Sequence, residues 1–125
     1  MIVGVGTDVL EVLRMTRELR RGDGGFVDEV FSPAEKSYCA SQRYPARHYA
    51  ARFAAKEAAF KALGSGLADG LRFRDVEVGG RPAGAPYLIL RGRAKRVAQQ
   101  RRVRRILVSL AHTARVATAC VILES

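Results

Sequence analysis

Apolar and polar positions alternate from Ile2 to Val9, with Val3, Val5, Thr7 and Val9 on one side and Ile2, Gly4, Gly6 and Asp8 on the other. A period of two predicts a strand, and its glycine side leaves room for something to approach. From Glu11 to Arg21 the pattern is helical, and Gly22-Asp23-Gly24-Gly25 stops it. Ser32-Pro33-Ala34-Glu35 has the layout of a helix start: a serine cap, a proline in the first turn and a glutamate that reaches back. That helix is expected to run to about Ser41. The longest helical pattern spans about Ala46 to Leu63, rich in alanine, with Tyr49, Phe53 and Phe60 at helical spacing and Gly64 and Gly66 closing it. Asp75–Val78 and Tyr87–Leu90 read as the strands of a hairpin joined by the loop from Gly79 to Pro86. A short helix at Ala94–Gln100 and two strands at Arg105–Ala111 and Val116–Leu123 follow. Strands and helices mixed without a regular βαβ repeat predict the α+β class.

Composition narrows this reading. With 125 residues, 48% of them hydrophobic, the chain fits one compact domain over residues 1–125. No apolar run approaches the roughly 20 residues of a membrane helix, and the start lacks the basic-then-apolar layout of a secretory signal. A soluble, cytoplasmic protein without membrane contact is expected. Cys39 and Cys120 are isolated, lack metal-ligand spacing and read as ordinary reduced thiols. The net charge of +10 is uneven: residues 1–77 carry twelve Lys/Arg against eleven Asp/Glu, and residues 78–125 carry ten against one. Eight of those ten lie between Arg91 and Arg105, a run that suits either a solvated helix face or a phosphate-seeking surface. No aromatic residues are interleaved for base stacking, which argues against nucleic acid.

Two carboxylates occupy awkward places. With Phe53 as origin, Glu57 falls at about +40° on the helical wheel, with Phe60 at about −20° and Tyr49 at about −40°, so it lies within the apolar stripe. A carboxylate on an apolar stripe needs a cation or strong donors, and Lys61 four residues on offers a helical ion pair. Asp8, followed by Glu11, has the spacing of a capping box for the first helix. The alternative for both is ligation of one hard cation that keeps waters and takes further ligands from substrate phosphates, as Mg²⁺ does. Lys56, Lys61, Arg47 and Arg52 surround Glu57 on the same helix, either as solvated positions or as the lining of a pyrophosphate site. His112, at the end of a strand and before Thr113, is a structural residue or a functional one.

Taken together these motifs resemble the holo-acyl-carrier-protein synthases, the small 4′-phosphopantetheinyl transferases. The opening Val3-Gly4-Val5-Gly6-Thr7-Asp8-Val9 is similar to that family's Gly-x-Gly-x-Asp start. Arg52-Phe53-Ala54-Ala55-Lys56-Glu57-Ala58 through Lys61-Ala62-Leu63-Gly64 resembles its central helix, and Val108-Ser109-Leu110-Ala111-His112-Thr113 its third motif. The resemblance implies a mainly antiparallel sheet packed by the long central helix. It implies Mg²⁺ on Asp8 and Glu57, Lys61 neutralising phosphate charge, and coenzyme A as donor, bound by Arg52, Lys61, Gly64, His112 and Thr113. A carrier-protein serine would attack the β-phosphorus of coenzyme A and release adenosine 3′,5′-bisphosphate, with Glu57 or a water on the metal as base. Arg14, Arg17, Arg20 and Arg21 resemble a basic face that grips an acidic acyl carrier protein, and the family implies a homotrimer with sites at subunit boundaries. Three departures stand out: Thr7 in place of an aliphatic, Ala111 in place of a serine, and the heavy basic run at 91–105. The competing reading is a non-catalytic basic module that binds nucleic acid or another polyanion through that run. The client carrier, of fatty-acid, polyketide or other synthesis, stays open.

Overall fold

The structure is a computed structural model that describes residues 1–22, 24–80 and 84–125. Asp23 of the expected helix stop and Arg81, Pro82 and Ala83 of the expected hairpin loop lie outside the described residues. In chain order the elements are β1 (Ile2–Glu11), α1 (Val12–Arg20), α2 (Gly25–Val30), α3 (Pro33–Ala40), α4 (Pro45–Leu63), β2 (Val76–Gly80), β3 (Pro86–Leu90), α5 (Gly92–Gln100), β4 (Arg105–His112) and β5 (Val116–Glu124). Short 3-10 turns at Leu67–Asp69 and Phe73–Asp75 link α4 to β2. An antiparallel sheet of order β1-β5-β4 and the β2-β3 hairpin pack around α4, giving the expected α+β arrangement with a central helix. Among the described residues no helix is long and apolar enough to cross a membrane.

Three details differ from the sequence reading. β1 runs on to Glu11, so Asp8 lies within the strand opposite Ala119 and cannot cap α1. The residue at the cap of α1 is Glu11, which makes no side-chain capping bond. A six-residue helix, α2, follows the glycine-rich stop, entered through Gly24 at φ 71°. It is too short to show a helical period in sequence, and its Phe26, Val27 and Val30 join the aromatic half of the core.

The third difference concerns α4. From Tyr49 to Leu63 every side chain is buried except Glu57 and Lys61, so the helix has a core on nearly all sides rather than one apolar stripe. Alanine makes this possible: Ala50, Ala51, Ala54, Ala55, Ala58, Ala59 and Ala62 are each at most 3% exposed. The closest neighbour is β1. A Cβ added to Gly6 would lie 1.9 Å from the Ala58 carbonyl oxygen, and one on Gly4 would lie 2.3 Å from that of Ala62. The open side of the strand is therefore filled by the helix backbone itself. Arg101 locks the pair from the far end by donating to the Ala62 carbonyl at 2.6 Å and to the Val3 carbonyl.

Lys56 is not a phosphate-site residue, because it is fully buried on the other side of the helix. Its ammonium donates to Glu35 Oε1 at 2.9 Å, to the Phe73 carbonyl at 3.1 Å and to the Val76 carbonyl. Glu35 in turn completes the predicted capping box by accepting from Ser32 N–H at 2.8 Å, and it accepts from Val78 N–H at 2.8 Å. Every donor of the ammonium is satisfied, which is the condition under which a buried ion pair is tolerated. The clasp ties α3, α4 and β2 at one point.

The glycine contact separates steric from conformational demands. Gly6→Ala forces the helix off the strand and is expected to cost about 3 kcal/mol or more in chemical denaturation. Gly64→Ala, at φ 71° with open space around it, is expected to cost about 1 kcal/mol. Equal losses at the two positions would contradict the close approach described here.

Candidate active site

The approach of β1 to α4 decides which polar groups meet. Asp8 shares the inner side of β1 with Gly4 and Gly6, one pleat beyond the contact, and Glu57 and Lys61 are the side chains between Tyr49 and Leu63 that reach solvent. Lys61 Nζ donates to Asp8 Oδ1 at 3.1 Å and to the Thr7 carbonyl at 2.9 Å. The helical Glu57–Lys61 ion pair of the sequence reading is replaced by this cross-strand one, since no Glu57–Lys61 bridge forms. Glu57 is half-buried, and its pKa is raised first by that burial and then by the Asp8 charge, with Lys61 and Arg14 opposing.

Two carboxylates that repel each other, beside a backbone carbonyl already holding an ammonium, form an all-oxygen donor set that attracts positive charge. Among the described residues no cluster of three or more His, Cys, Asp or Glu exists to enclose a metal. A pair of carboxylates suits a hard cation that keeps several waters or substrate oxygens, so these residues fit Mg²⁺. An open cleft of about 490 Å³ lies beside Asp8 and Lys61, bounded by Thr7, Val9 and the outer residues of β4 and β5. A second, of about 440 Å³, lies beside Glu57, Lys61 and Gly64. Gly64 stands at φ 71° after the last turn of α4, where its N–H bonds back to the helix and turns the chain toward Ser65.

Arg52 and His112 are elsewhere. Arg52 precedes Glu57 by five residues, about 140° around the helix, and neither cleft reaches it. Its guanidinium lies 4.0 Å from the Tyr38 ring centroid, and its Nε is buried with no hydrogen-bond partner among the described residues. His112, exposed at the end of β4, meets the ring of His48 with centroids 5.0 Å apart. Thr113 is occupied structurally: its hydroxyl accepts from Arg115 N–H at 3.2 Å and Val116 N–H at 3.1 Å in the turn before β5. Tyr38 and His48 were missed in sequence, although His48 sits one turn before Arg52 on the same helix.

Arg14, Arg17, Arg20 and Arg21 are all exposed along and just beyond α1, and of these only Arg21 has an ion pair among the described residues, with Glu18 at 3.5 Å. The basic run at 91–105 is divided. Arg91 pairs with Glu77 at 2.8 Å, Arg105 with Glu124 at 3.5 Å, and Arg101 holds backbone carbonyls. The rest is a solvated helix face and its exit. Outside the core side, the sheet presents Val5 at 55%, Val9 at 64% and Leu107 at 37% exposure, continuous with the cleft beside Asp8.

Comparison with known proteins converges on one family. Residues 4–120 match the 4′-phosphopantetheinyl transferase superfamily. The chain is 44% identical over 124 residues to a holo-[acyl-carrier-protein] synthase of Syntrophus aciditrophicus, covering 99% of this chain and 97% of that one. Its fold superimposes on the crystal structure of the holo-[acyl-carrier-protein] synthase of Neisseria meningitidis with a TM-score of 0.88 at 27% identity, over all of both chains. The corresponding enzyme of Helicobacter pylori, in complex with coenzyme A, gives 0.83 at 28% identity over 96% of this chain and 99% of that one.

The raised Glu57 pKa has a consequence for stability. A carboxylate that holds its proton more tightly when folded stabilises the fold fully below its unfolded pKa, and loses that contribution as pH rises through the higher folded value. At neutral pH the ionised pair is therefore a liability. Glu57→Gln is expected to raise the melting temperature of the ligand-free protein at pH 7 while changing it little at pH 4. A fall at pH 7 would show that Glu57 is held by favourable partners instead.

Proposed function

The chain belongs to the 4′-phosphopantetheinyl transferase superfamily, and on that premise we propose that it transfers 4′-phosphopantetheine from coenzyme A to a serine of an apo acyl carrier protein in a Mg²⁺-dependent reaction. The observation that carries this reading is the meeting of Asp8, Glu57 and Lys61 across the β1–α4 contact. The whole chain, residues 1–125, serves as one transferase domain. Asp8 and Glu57 hold the metal, and when bound it would neutralise and polarise the pyrophosphate of coenzyme A.

The remaining steps belong to the chain's own residues. Lys61, more than half exposed at its side chain, turns from Asp8 to a phosphate oxygen and balances its charge. The serine oxygen forms its bond to the β-phosphorus as the bond from that phosphorus to the bridging oxygen breaks, releasing adenosine 3′,5′-bisphosphate. Glu57, or a water held beside it, accepts the serine proton. Arg52 and His112 bind the nucleotide side, a role supported by the Arg52 Nε that has no partner among the described residues. Gly64 shapes the loop bordering the pantetheine, and Thr113 supports the nucleotide side indirectly, through the turn that presents His112. The exposed arginines of α1 steer an acidic carrier protein to the site.

Two clusters on opposite flanks of one helix support an assembly in which Asp8, Glu57 and Lys61 of one protomer complete a site with Arg52 and His112 of the next. The exposed apolar side of the sheet is the surface for that contact, and a homotrimer closes it.

Mass spectrometry of an apo carrier incubated with the enzyme, Mg²⁺ and coenzyme A tests the reaction: a mass gain of one phosphopantetheine is expected for the native protein and none for Asp8→Asn or Glu57→Gln. Full loading by both variants would sink the proposal. Sharing of sites is tested by mixing: Asp8→Asn and Arg52→Ala protomers, each impaired alone, are expected to recover activity when refolded together. No recovery in co-assembled protein would place each site within one chain.

A further inference from the structure

Four groups able to carry positive charge converge at the first half of α4 without a carboxylate among them. His48 is the centre of this cluster. Its ring meets that of His112 from β4 edge-on, at 5.0 Å and 66°, and that of Tyr38 from α3 at 5.8 Å and 74°. Arg52 follows one turn along α4, with its guanidinium 4.0 Å over the same Tyr38 ring, and Arg47 lies 4.0 Å over the Tyr44 ring. None of Arg47, His48, Arg52 and His112 takes part in an ion pair among the described residues. The charged and titratable groups facing His48 are therefore Arg47 and Arg52 on its own helix, His112 on β4 and Tyr38 on α3.

Such a cluster is poised against its own charge. Two imidazoles in edge contact resist being protonated together, and the two arginines add to the penalty. The free-protein pKa of His48 is accordingly lowered, first by partial burial and then by His112, Arg52 and Arg47. An anion placed against the cluster reverses the sign of each of these charge effects, because a phosphate rewards every added proton nearby. Tyr38 contacts both His48 and Arg52 through its ring and so brings the two together.

We propose that His48 is a further coenzyme A-binding residue, which pairs with His112 in one phosphate site and takes up a proton from solvent when the nucleotide phosphate arrives. The inference rests on the reading of Arg52 and His112 as nucleotide-side residues, and it adds to that reading both a residue and a pH dependence. Coenzyme A affinity rises as pH falls from 8.5 to 6.5. The gain belongs to His48 and not to the metal-side carboxylates.

Isothermal titration calorimetry of coenzyme A into the native protein, at pH 6.5 and 8.5 and in two buffers of different ionisation enthalpy, measures affinity and proton uptake together. The matched variant is His48→Phe, which keeps an aromatic ring against Tyr38 and His112 but cannot be protonated. The native protein is expected to gain up to about tenfold more affinity than the variant on going to pH 6.5, the factor given by a one-unit rise in one imidazole pKa. At pH 8.5 the two should bind alike. Titration of the ligand's own phosphate is common to both proteins and cancels in the ratio. A purely structural role for His48 would weaken binding equally at the two pH values and would overturn the proposal, as would undiminished proton uptake in His48→Phe. Absence of coenzyme A binding by the native protein at either pH would overturn the coenzyme A reading along with it, whereas binding with a pH profile equal to that of the variant would overturn the role of His48 alone.

Discussion

The rest of the molecule depends on backbone packed directly on backbone where β1 crosses α4. A helix normally stands off a sheet by the length of two side chains, but here Gly4 and Gly6 contribute none and the carbonyls of Ala58 and Ala62 occupy the space. That approach brings a strand carboxylate within reach of a helix carboxylate and a helix ammonium, which no longer spacing would allow. Repulsion between Asp8 and Glu57 is thus imposed by steric fit elsewhere. The site carries electrostatic stress that the ligand-free protein relieves only partly, through Lys61.

What holds the helix still against this stress is distributed around it. The Lys56–Glu35 clasp fixes its middle to β2 and to the start of α3, Arg101 fixes its end to β1, and the Phe53–Phe73–Phe60 stack fills the hairpin side. The clasp is costly to desolvate, and it is affordable only because each polar atom finds a partner. Its neighbour in sequence, Glu57, lies about 100° around the helix and stays half open. Adjacent residues of opposite charge on one helix are therefore placed in different surroundings, one sealed in the core and one at the edge of a cleft.

Much of this was legible in the chain. Alternation gave the strands, the Ser32–Glu35 pattern gave a capping box that the structure contains, and the glycines on the Asp8 side of β1 marked a close approach. The identity of the approaching object was not legible, because a two-residue period says only that one side is empty. Lys56 was misplaced for a related reason: residues 56 and 57 lie about 100° apart, and a pattern rich in alanine has no polar side by which to judge which of them faces out. The Asp8–Glu11 spacing imitated a helix cap because nothing local shows that β1 continues to Glu11. His48 escaped notice because its meaning lies in His112, some sixty residues away and reached only through the sheet.

The alanine sleeve of α4 also bears on how such a protein can change over time. Where a helix packs through single methyl groups there is no side-chain bulk to trade, so an enlarging substitution at Ala54, Ala55 or Ala58 meets a neighbour at once. Mutational drift is channelled away from the rail that carries Glu57 and Lys61 and into the exposed elements at its borders, α1 and α5. Surface chemistry at those borders is in this way free to vary while the spacing of β1 and α4 is kept, a separation built into the packing itself.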